Sequence, residues 1–213
     1  MKKFELTSEF NLNFFGRKFF RIKALVNIER YGVKAGDLGG WVEKEDNLSQ
    51  SGNAWVSGNA VVYGDAVVSG NAWVSGNAVV YGDAVVSGNA KVSGDAVVSG
   101  NAWVSGDAWV SGDAVVYGDA EVSGDAVVSG NAKVYGDADY AVIKGFGTVY
   151  RPTTFFRCHD GEARVTCGCF YGTIDEFREQ VKRTRKGKVA DEYLKIADLM
   201  EYHFKEEDSG ENV

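Results

Sequence analysis

The chain has 213 residues and a net charge of −7, and it contains 27 Gly but a single Pro. No apolar run approaches the roughly 20 residues of a membrane-spanning helix, and the first residues lack the apolar segment of a signal peptide, so we expect a cytoplasmic protein without a membrane partner. Residues 53–138 hold eight Asp and one Glu against two Lys, which argues against nucleic-acid binding, since that requires clustered Lys and Arg.

Residues 1–46 are expected to form a β-hairpin that caps the segment after it. Two aromatic-rich runs, residues 10–15 and 19–26, are separated by the sequence Gly-Arg-Lys. Two such runs around a short glycine-containing turn are typical of a hairpin. Because the open end of a repeat exposes strand edges that must be covered, we assign this part a capping role. The residues expected to flank the turn are Phe14, Phe15, Phe19 and Phe20.

Residues 53–136 consist of fourteen hexapeptides without an insertion or deletion, each reading Asn or Asp, Ala, a variable residue, Val, Ser or Tyr, and Gly. Ala and Val lie two positions apart, so they face the same side of a strand. Gly followed by Asn or Asp is typical of a turn. Three such sides make a coil of 18 residues, and successive coils pair in parallel about 4.8 Å apart. Residues 47–142 are therefore predicted to form a parallel β-solenoid of about five coils with Ala and Val inside.

The spacing of Val and Ala also supports a resemblance. In Val56 and Ala60, and in Val62 and Ala66, an aliphatic residue is followed four positions later by a small one. This motif resembles the hexapeptide-repeat superfamily, which implies a single-stranded, left-handed parallel β-helix and a homo-oligomer. Many members are acyltransferases that use acyl-CoA and a His general base on a loop extruded from the coils. The repeat here has neither a His nor such a loop, so we expect a non-catalytic protein and keep acyl transfer as the alternative.

Threading the repeat at 18 residues per coil assigns the outward side chains to three walls. The first wall carries Trp55, Trp73, Lys91, Trp109 and Val127. The second, here called the Val/Tyr wall, carries Val61, Val79, Val97, Val115 and Lys133 beside Tyr63, Tyr81, Ser99, Tyr117 and Tyr135. The third carries Val67, Val85, Trp103, Glu121 and Asp139. We call Trp55, Trp73, Trp109 and Trp103 the aromatic ladder.

Two interpretations of the Val/Tyr wall stay open. Valine and tyrosine columns stiffen a sheet through contacts between neighbouring coils. However, a solvated wall is normally polar outside, and a contiguous apolar patch usually marks an interface. Its cover could be another copy of the chain, the chain's own terminal segments or a foreign protein, and we favour a homo-oligomer.

Residues 143–205 are predicted to form a small α+β appendage. Residues 154–159 and 163–170 are expected to be strands, and the capping box of Thr173 and Glu176 begins a first helix. A second helix is expected over residues 190–204, with a solvated basic loop at residues 182–188. The polar residues 206–213 are expected to be a disordered tail.

The cysteines and histidines suggest neither a metal nor a catalytic site. Cys158, His159, Cys167 and Cys169 could in principle make a zinc site, but they lack the spacing of a zinc knuckle. We therefore expect reduced structural cysteines and no cofactor. The turn around His159 favours a structural role for that residue, and His203 is expected to pack within the second helix.

A second resemblance rests on residues 35–42, the repeat, and residues 168–177. Together they resemble hexapeptide-repeat proteins of bacteriophages and gut bacteria, some of which are labelled acyltransferases or polymer-forming proteins. The resemblance offers no settled activity. It implies that a phage-encoded inhibitor of a host defence protein, acting in the host cytoplasm, is a further possible function.

Overall fold

The computed structural model describes residues 1–13 and 15–205. A three-stranded antiparallel segment comes first, a three-sided β-solenoid of about five turns follows, and a small sheet with two helices ends the described chain. This architecture confirms the predicted β-solenoid with its two appendages. The predictions for Phe14 and for residues 206–213 lie outside the described residues. Within the described part, no helix is both long and apolar enough to cross a membrane.

The solenoid consists of fourteen two-residue strands, one per hexapeptide. Each of the first eleven pairs in parallel with the strand 18 residues later, so three hexapeptides complete one coil, as predicted. The first wall contains β4 (Trp55–Val56), β7 (Trp73–Val74), β10 (Lys91–Val92), β13 (Trp109–Val110) and β16 (Val127–Val128). The Val/Tyr wall contains β5 (Val61–Val62), β8 (Val79–Val80), β11 (Val97–Val98), β14 (Val115–Val116) and β17 (Lys133–Val134). The third wall contains β6 (Val67–Val68), β9 (Val85–Val86), β12 (Trp103–Val104) and β15 (Glu121–Val122).

Along the fourteen hexapeptides, the inward side chains are the predicted Ala and Val. Every repeat Ala from Ala54 to Ala132 and every repeat Val from Val56 to Val134 is 0% exposed. On each side, the backbone N–H groups of the first, third and fifth residues of the hexapeptide donate to the next coil, as Asn59, Val61 and Tyr63 do. The column is therefore held by stacked methyl groups inside and by a continuous backbone ladder around it.

The strands are short, with two residues on each side of the coil. Each repeat glycine from Gly58 to Gly130 has a φ between 65° and 77°, a left-handed conformation that bends the chain at every corner. At several corners the Ala N–H then bonds back across the turn, as from Ala60 to the Ser57 carbonyl at 3.3 Å. Only the variable residue and Val remain in strand geometry. The handedness of the coil stays a prediction from the resemblance.

The third wall ends one step earlier than predicted. Asp139 was expected to continue that wall, but it lies in a 3₁₀ turn, Asp137–Asp139. Its carboxylate accepts hydrogen bonds from the backbone N–H groups of Tyr135 at 2.9 Å and Gly136 at 3.2 Å. Because Tyr140 stands where the repeat has its inward Val, the stack of valines is not continued, and the chain leaves the column here.

The N-terminal segment closes the first coil. Strands β1 (Phe4–Leu12) and β2 (Lys18–Ala24) form the predicted hairpin, with β1 beginning earlier than expected. Strand β3 (Leu38–Val42) pairs with β2 and, in parallel, with β5, so the hairpin extends the Val/Tyr sheet. Phe4 and Ile22 are 0% exposed and join the solenoid core. The predicted capping role agrees with this packing.

Polar side chains bond the open edge of the first coils. The Lys3 ammonium donates to the Ala54 carbonyl at 2.7 Å, and burial lowers the pKa of Lys3 to about 8. The side-chain amide of Asn47, which is 0% exposed, donates to the carbonyls of Gly64 and Ala66. The Gln50 amide bonds both the N–H and the C=O of Phe4. These contacts satisfy backbone groups that an uncovered edge would leave open.

The C-terminal appendage closes the last coil. It is an antiparallel sheet of β18 (Tyr140–Ile143), β19 (Thr153–Arg157), β20 (Ala163–Cys167) and β21 (Phe170–Thr173). Phe156, on β19, is 0% exposed and belongs to the solenoid core, whereas the adjacent Phe155 packs against the helices. The Thr154 hydroxyl accepts from the Val127 N–H at 3.0 Å, and the Thr166 hydroxyl donates to the Val127 carbonyl at 2.9 Å.

Two helices cover the far side of this sheet. Helix α1 (Ile174–Thr184) begins at the predicted capping box, since Thr173 and Glu176 bond each other's backbone. Helix α2 (Gly187–Phe204) begins three residues earlier than expected. The basic run at residues 182–188 was predicted to be a loop, and this is wrong, because only Arg185 and Lys186 lie between the helices. Lys and Arg are good helix formers, so both helices extend into the run.

Candidate interaction surface

The Val/Tyr wall is the outer face of a continuous eight-stranded sheet that includes β1, β2 and β3. Its valines stand in register, with Val61 opposite Val79, and Val97 opposite Val79 and Val115. Each of these four valines is partly exposed, while the Val that follows it is fully buried. The period of 18 thus aligns one apolar column along four coils, as the sequence predicted.

The N-terminal end of this wall is covered by the hairpin. The Phe19 ring lies 5.3 Å from the Tyr63 ring, and the Arg17 guanidinium lies 5.4 Å from the centre of that ring. Trp41 stands opposite Val61, beneath the Arg21 guanidinium at 4.9 Å. Burial raises the pKa of Tyr63, with a smaller contribution from Tyr81. Tyr63 is therefore less available to a partner than the sequence suggested.

The tyrosine column of the wall has two parts. Tyr63 and Tyr81 stack with ring centres 5.0 Å apart and planes 4° apart. Ser99 interrupts the column and is 6% exposed. Beyond it, Tyr117 and Tyr135 meet edge to face, and Tyr135 is 39% exposed. The wall open to solvent is thus a valine strip flanked by Tyr81 on one side of the Ser99 gap and by Tyr117 and Tyr135 on the other.

Half of the aromatic ladder is covered by the chain itself. Trp55 was predicted to lie outside the column, which is correct, but it is only 1% exposed and belongs to the same buried cluster as Phe4 and Ile22. Tyr31 lies over Trp73 with ring centres 4.7 Å apart, and its hydroxyl bonds the Asn71 carbonyl. Trp55 therefore cannot contact a partner, because residues 24–39 cover the start of the first wall.

The other two tryptophans remain open on neighbouring walls. Trp103 is 51% exposed on the third wall and Trp109 is 47% exposed on the first. Their indole N–H groups donate to Ser87 and Ser93, each at 3.1 Å. Trp73 bonds Ser57 in the same way at 2.8 Å. Each indole thus reaches back to a serine 16 residues earlier, an arrangement that fixes the rings on the sheet and that sequence reasoning missed.

Asparagine and aspartate ladders run along the corners. Asn53 donates to Asn71 at 2.8 Å, Asn71 to Asn89 at 3.1 Å, and Asn89 to the carboxylate of Asp107 at 3.0 Å. A side-chain amide can both donate and accept, so each ladder can continue until it reaches an acceptor-only Asp. These bonds add to the backbone ladder. A second ladder, from Asn59 to Asn77 at 3.2 Å and from Asn77 to the carboxylate of Asp95 at 2.9 Å, runs along one flank of the Val/Tyr wall.

The histidines and cysteines occupy separate structural positions. His159 is an exposed turn residue whose backbone N–H donates to Asn131, and the His203 ring lies 3.0 Å from the Ala138 carbonyl. His203 is exposed rather than packed. Cys158 lies in the solenoid cap, where burial raises the pKa of its thiol, whereas Cys167 and Cys169 lie at the β20–β21 turn. Over residues 1–13 and 15–205, no three His, Cys, Asp or Glu side chains gather where they could hold a metal ion.

Comparison with protein families agrees with the solenoid geometry. A family model described as the YdcK β-solenoid repeat matches residues 54–70, 62–76, 72–88 and 90–106. The repeat is similar to the YdcK β-solenoid repeat. All four matches lie within the coils, so the similarity supports a repeat β-helix and does not extend to the two caps. No curated protein sequence matches the chain.

Proposed function

We propose that the protein is a non-catalytic β-solenoid that assembles with a second copy of itself through the Val/Tyr wall. The observation that carries the proposal is the unbroken, partly exposed valine column on the outer face of that sheet. An outer face of this kind is normally polar. Its apolar character therefore supports an interface rather than a solvated surface.

The closed ends of the column support lateral assembly. At the first coil, Phe4 packs against the core and Lys3 forms a hydrogen bond. At the last coil, Phe156 packs against the core and Thr154 forms a hydrogen bond. Both edges through which a solenoid could stack end to end are thereby occupied by the chain itself. The sides remain, and among them the Val/Tyr wall has the longest apolar strip.

The regular spacing of the wall favours a second copy over a foreign protein. Val61, Val79 and Val97 follow one another at the distance between coils, about 4.8 Å. Another copy presents the same spacing, so two walls can interdigitate in a self-complementary interface. Sheets that pack face to face lie about 10 Å apart, which is room for Val and Tyr side chains.

Acyl transfer has no comparable support among the described residues. The two histidines lie off the solenoid walls, His159 in the turn between β19 and β20 and His203 near the end of α2. The proposal is therefore that of a binding and assembly protein. A host protein as partner, the function suggested by the phage resemblance, is treated as an outcome of the test.

The test compares two double lysine variants by light scattering. Tyr81→Lys with Tyr117→Lys places two charges on the Val/Tyr wall, two coils apart. Ser69→Lys with Ser105→Lys places the same charges at the same hexapeptide position on the third wall. We expect the wild type and the serine variant to show a multiple of 23.1 kDa, and the tyrosine variant to show the mass of one chain. Circular dichroism checks that both variants keep the fold.

An equal oligomer mass in all three proteins would show that the interface lies elsewhere. A wild type of 23.1 kDa would contradict self-assembly itself. In that case, a stable complex with a purified host protein that the tyrosine variant alone fails to form would support the foreign-partner alternative instead.

A further inference from the structure

A cavity of about 300 Å³ lies in the C-terminal appendage, away from the Val/Tyr wall. It is bounded by the loop after β18, the β20–β21 turn and the facing sides of helices α1 and α2. Its apolar lining includes Phe170, Phe177, Val181 and Tyr193. The Phe177 ring meets Phe170 at 5.6 Å and Tyr193 at 5.8 Å. This size and this aromatic lining are typical of sites for small organic molecules.

Two arginines line the same cavity without an acidic partner. Neither Arg151 nor Arg185 forms an ion pair with a carboxylate of the described residues, and the Arg185 guanidinium donates to the Thr184 carbonyl at 3.2 Å. In contrast, Arg178 on α1 pairs with three carboxylates. The chain has 30 acidic residues against 23 basic ones. Both arginines are exposed, so their guanidinium groups are open to an anion from solution.

The backbone around Arg151 holds its side chain at the cavity. A Cβ on Gly168 would lie 2.8 Å from an Arg151 guanidinium nitrogen, so the absence of a side chain there lets the arginine rest on the β20–β21 turn. The neighbouring Tyr150 has a φ of 51°, the one positive φ among the described non-glycine residues. Left-handed backbone of this kind persists where surrounding contacts require it and is enriched at ligand sites.

Polar groups at the cavity include two thiols. The Thr153 hydroxyl lies 3.2 Å from the Cys167 sulfur, and the Tyr193 hydroxyl donates to the Phe146 carbonyl at 3.3 Å. Cys169 lines the cavity and is exposed, whereas Cys158 is buried in the solenoid cap. The rate at which a reagent modifies the Cys169 thiol therefore reports whether the cavity is occupied.

We propose that this cavity binds a small organic carboxylate. Its apolar or aromatic body would lie among Phe170, Phe177 and Tyr193, and its carboxylate would pair with Arg151 and Arg185. The planar guanidinium fork matches a carboxylate in two-bond geometry. The cavity volume limits the ligand to a small molecule of one or two rings. This site is independent of the self-assembly proposed above.

The test uses 2-naphthoate as the probe and 2-naphthalenemethanol as its neutral counterpart. Calorimetry measures binding, and mass spectrometry follows the rate at which N-ethylmaleimide modifies Cys169. We expect naphthoate to bind with a dissociation constant below about 1 mM and to slow modification of Cys169. The alcohol is expected to bind at least about tenfold more weakly, because it lacks the charge-assisted hydrogen bonds.

Two variants locate the binding. Arg151→Gln with Arg185→Gln should weaken naphthoate binding by about tenfold or more and abolish the protection of Cys169. Arg183→Gln, a charge removal on α1 outside the cavity, should leave both readouts unchanged. Continued resistance of Cys158, which is buried in the solenoid cap, to N-ethylmaleimide checks that each variant keeps its fold. Equal binding of the two probes, retained binding in the double variant, or no saturable binding below about 1 mM would overturn the proposal.

Discussion

At the scale of single residues, the last position of the hexapeptide is Gly in all fourteen repeats, and most of these glycines meet two structural requirements. One requirement is a left-handed φ, and the other is close approach to the glycine 18 residues later, in the next coil. A Cβ on Gly106 would meet the backbone N of Gly124 at 2.8 Å and its O at 2.9 Å, with a φ of 68°. Gly124 has a nearly equal φ of 67° but nothing within 4 Å of its Cβ position. The sequence predicted the turn but could not reveal the second requirement.

Gly106 and Gly124 allow the cost of the left-handed φ to be separated from the cost of the close approach between coils. We expect Gly124→Ala to destabilise the protein by about 1–2 kcal/mol, the cost of a left-handed conformation for a residue with a Cβ. Gly106→Ala should cost about 1–3 kcal/mol more, because the methyl group also clashes with the next coil. Guanidinium unfolding midpoints of the two variants measure the difference. Equal midpoints would show that coil-to-coil contact at the corners has no energetic role.

Lys3 gives a prediction about pH. Its buried ammonium has a pKa lowered to about 8, against 10.5 for an exposed lysine. Between about pH 8 and pH 10.5 the unfolded chain therefore binds more protons at this site than the folded chain does, and the free energy of unfolding rises with pH. Relative to Lys3→Met, the wild type should gain stability across this window in urea unfolding. A difference that is constant with pH would contradict the burial of the charged group.

At the scale of elements, local patterns predicted what repeats and failed where distant segments meet. The period of six placed Trp103, Lys91 and Val97 on the correct walls, and the Thr173 capping box located the start of α1. The cover over Trp55 was missed, because it comes from residues about 20 positions away that carry no periodic signal. Strand β18 was missed for the same reason, since its partner is β19 rather than a preceding coil.

Strand β19 lies between the solenoid and the two C-terminal helices. Two neighbouring phenylalanines on it therefore permit a matched test. Phe156 faces the solenoid and Phe155 faces the helices, and both are 0% exposed. We expect Phe156→Ala to cost about 3–5 kcal/mol and to speed amide hydrogen exchange in residues 115–134. Phe155→Ala should instead speed exchange in α1, where Phe177 loses its edge contact. The same exchange pattern in both variants would mean that the appendage does not act as a separate cap.

At the scale of the whole molecule, charge limits how the Val/Tyr wall can associate. Acidic corners flank it, with Asp65, Asp83 and Asp119 on one side and Asp95 and Asp113 on the other. Pairing two such walls brings like charges together, so added salt should strengthen the association by screening them. An association driven by opposite charges would weaken instead. The dissociation constant at about 50 mM and about 500 mM NaCl distinguishes the two.

Sedimentation equilibrium of the wild-type protein tests the central claim most directly. A capped column that pairs through the Val/Tyr wall should give a mass that rises with concentration from 23.1 kDa toward a fixed multiple of it, since lateral pairing is closed. A mass that stays at 23.1 kDa up to the highest measurable concentration would contradict the account. So would a mass that grows without limit, because open growth requires the ends that the structure closes.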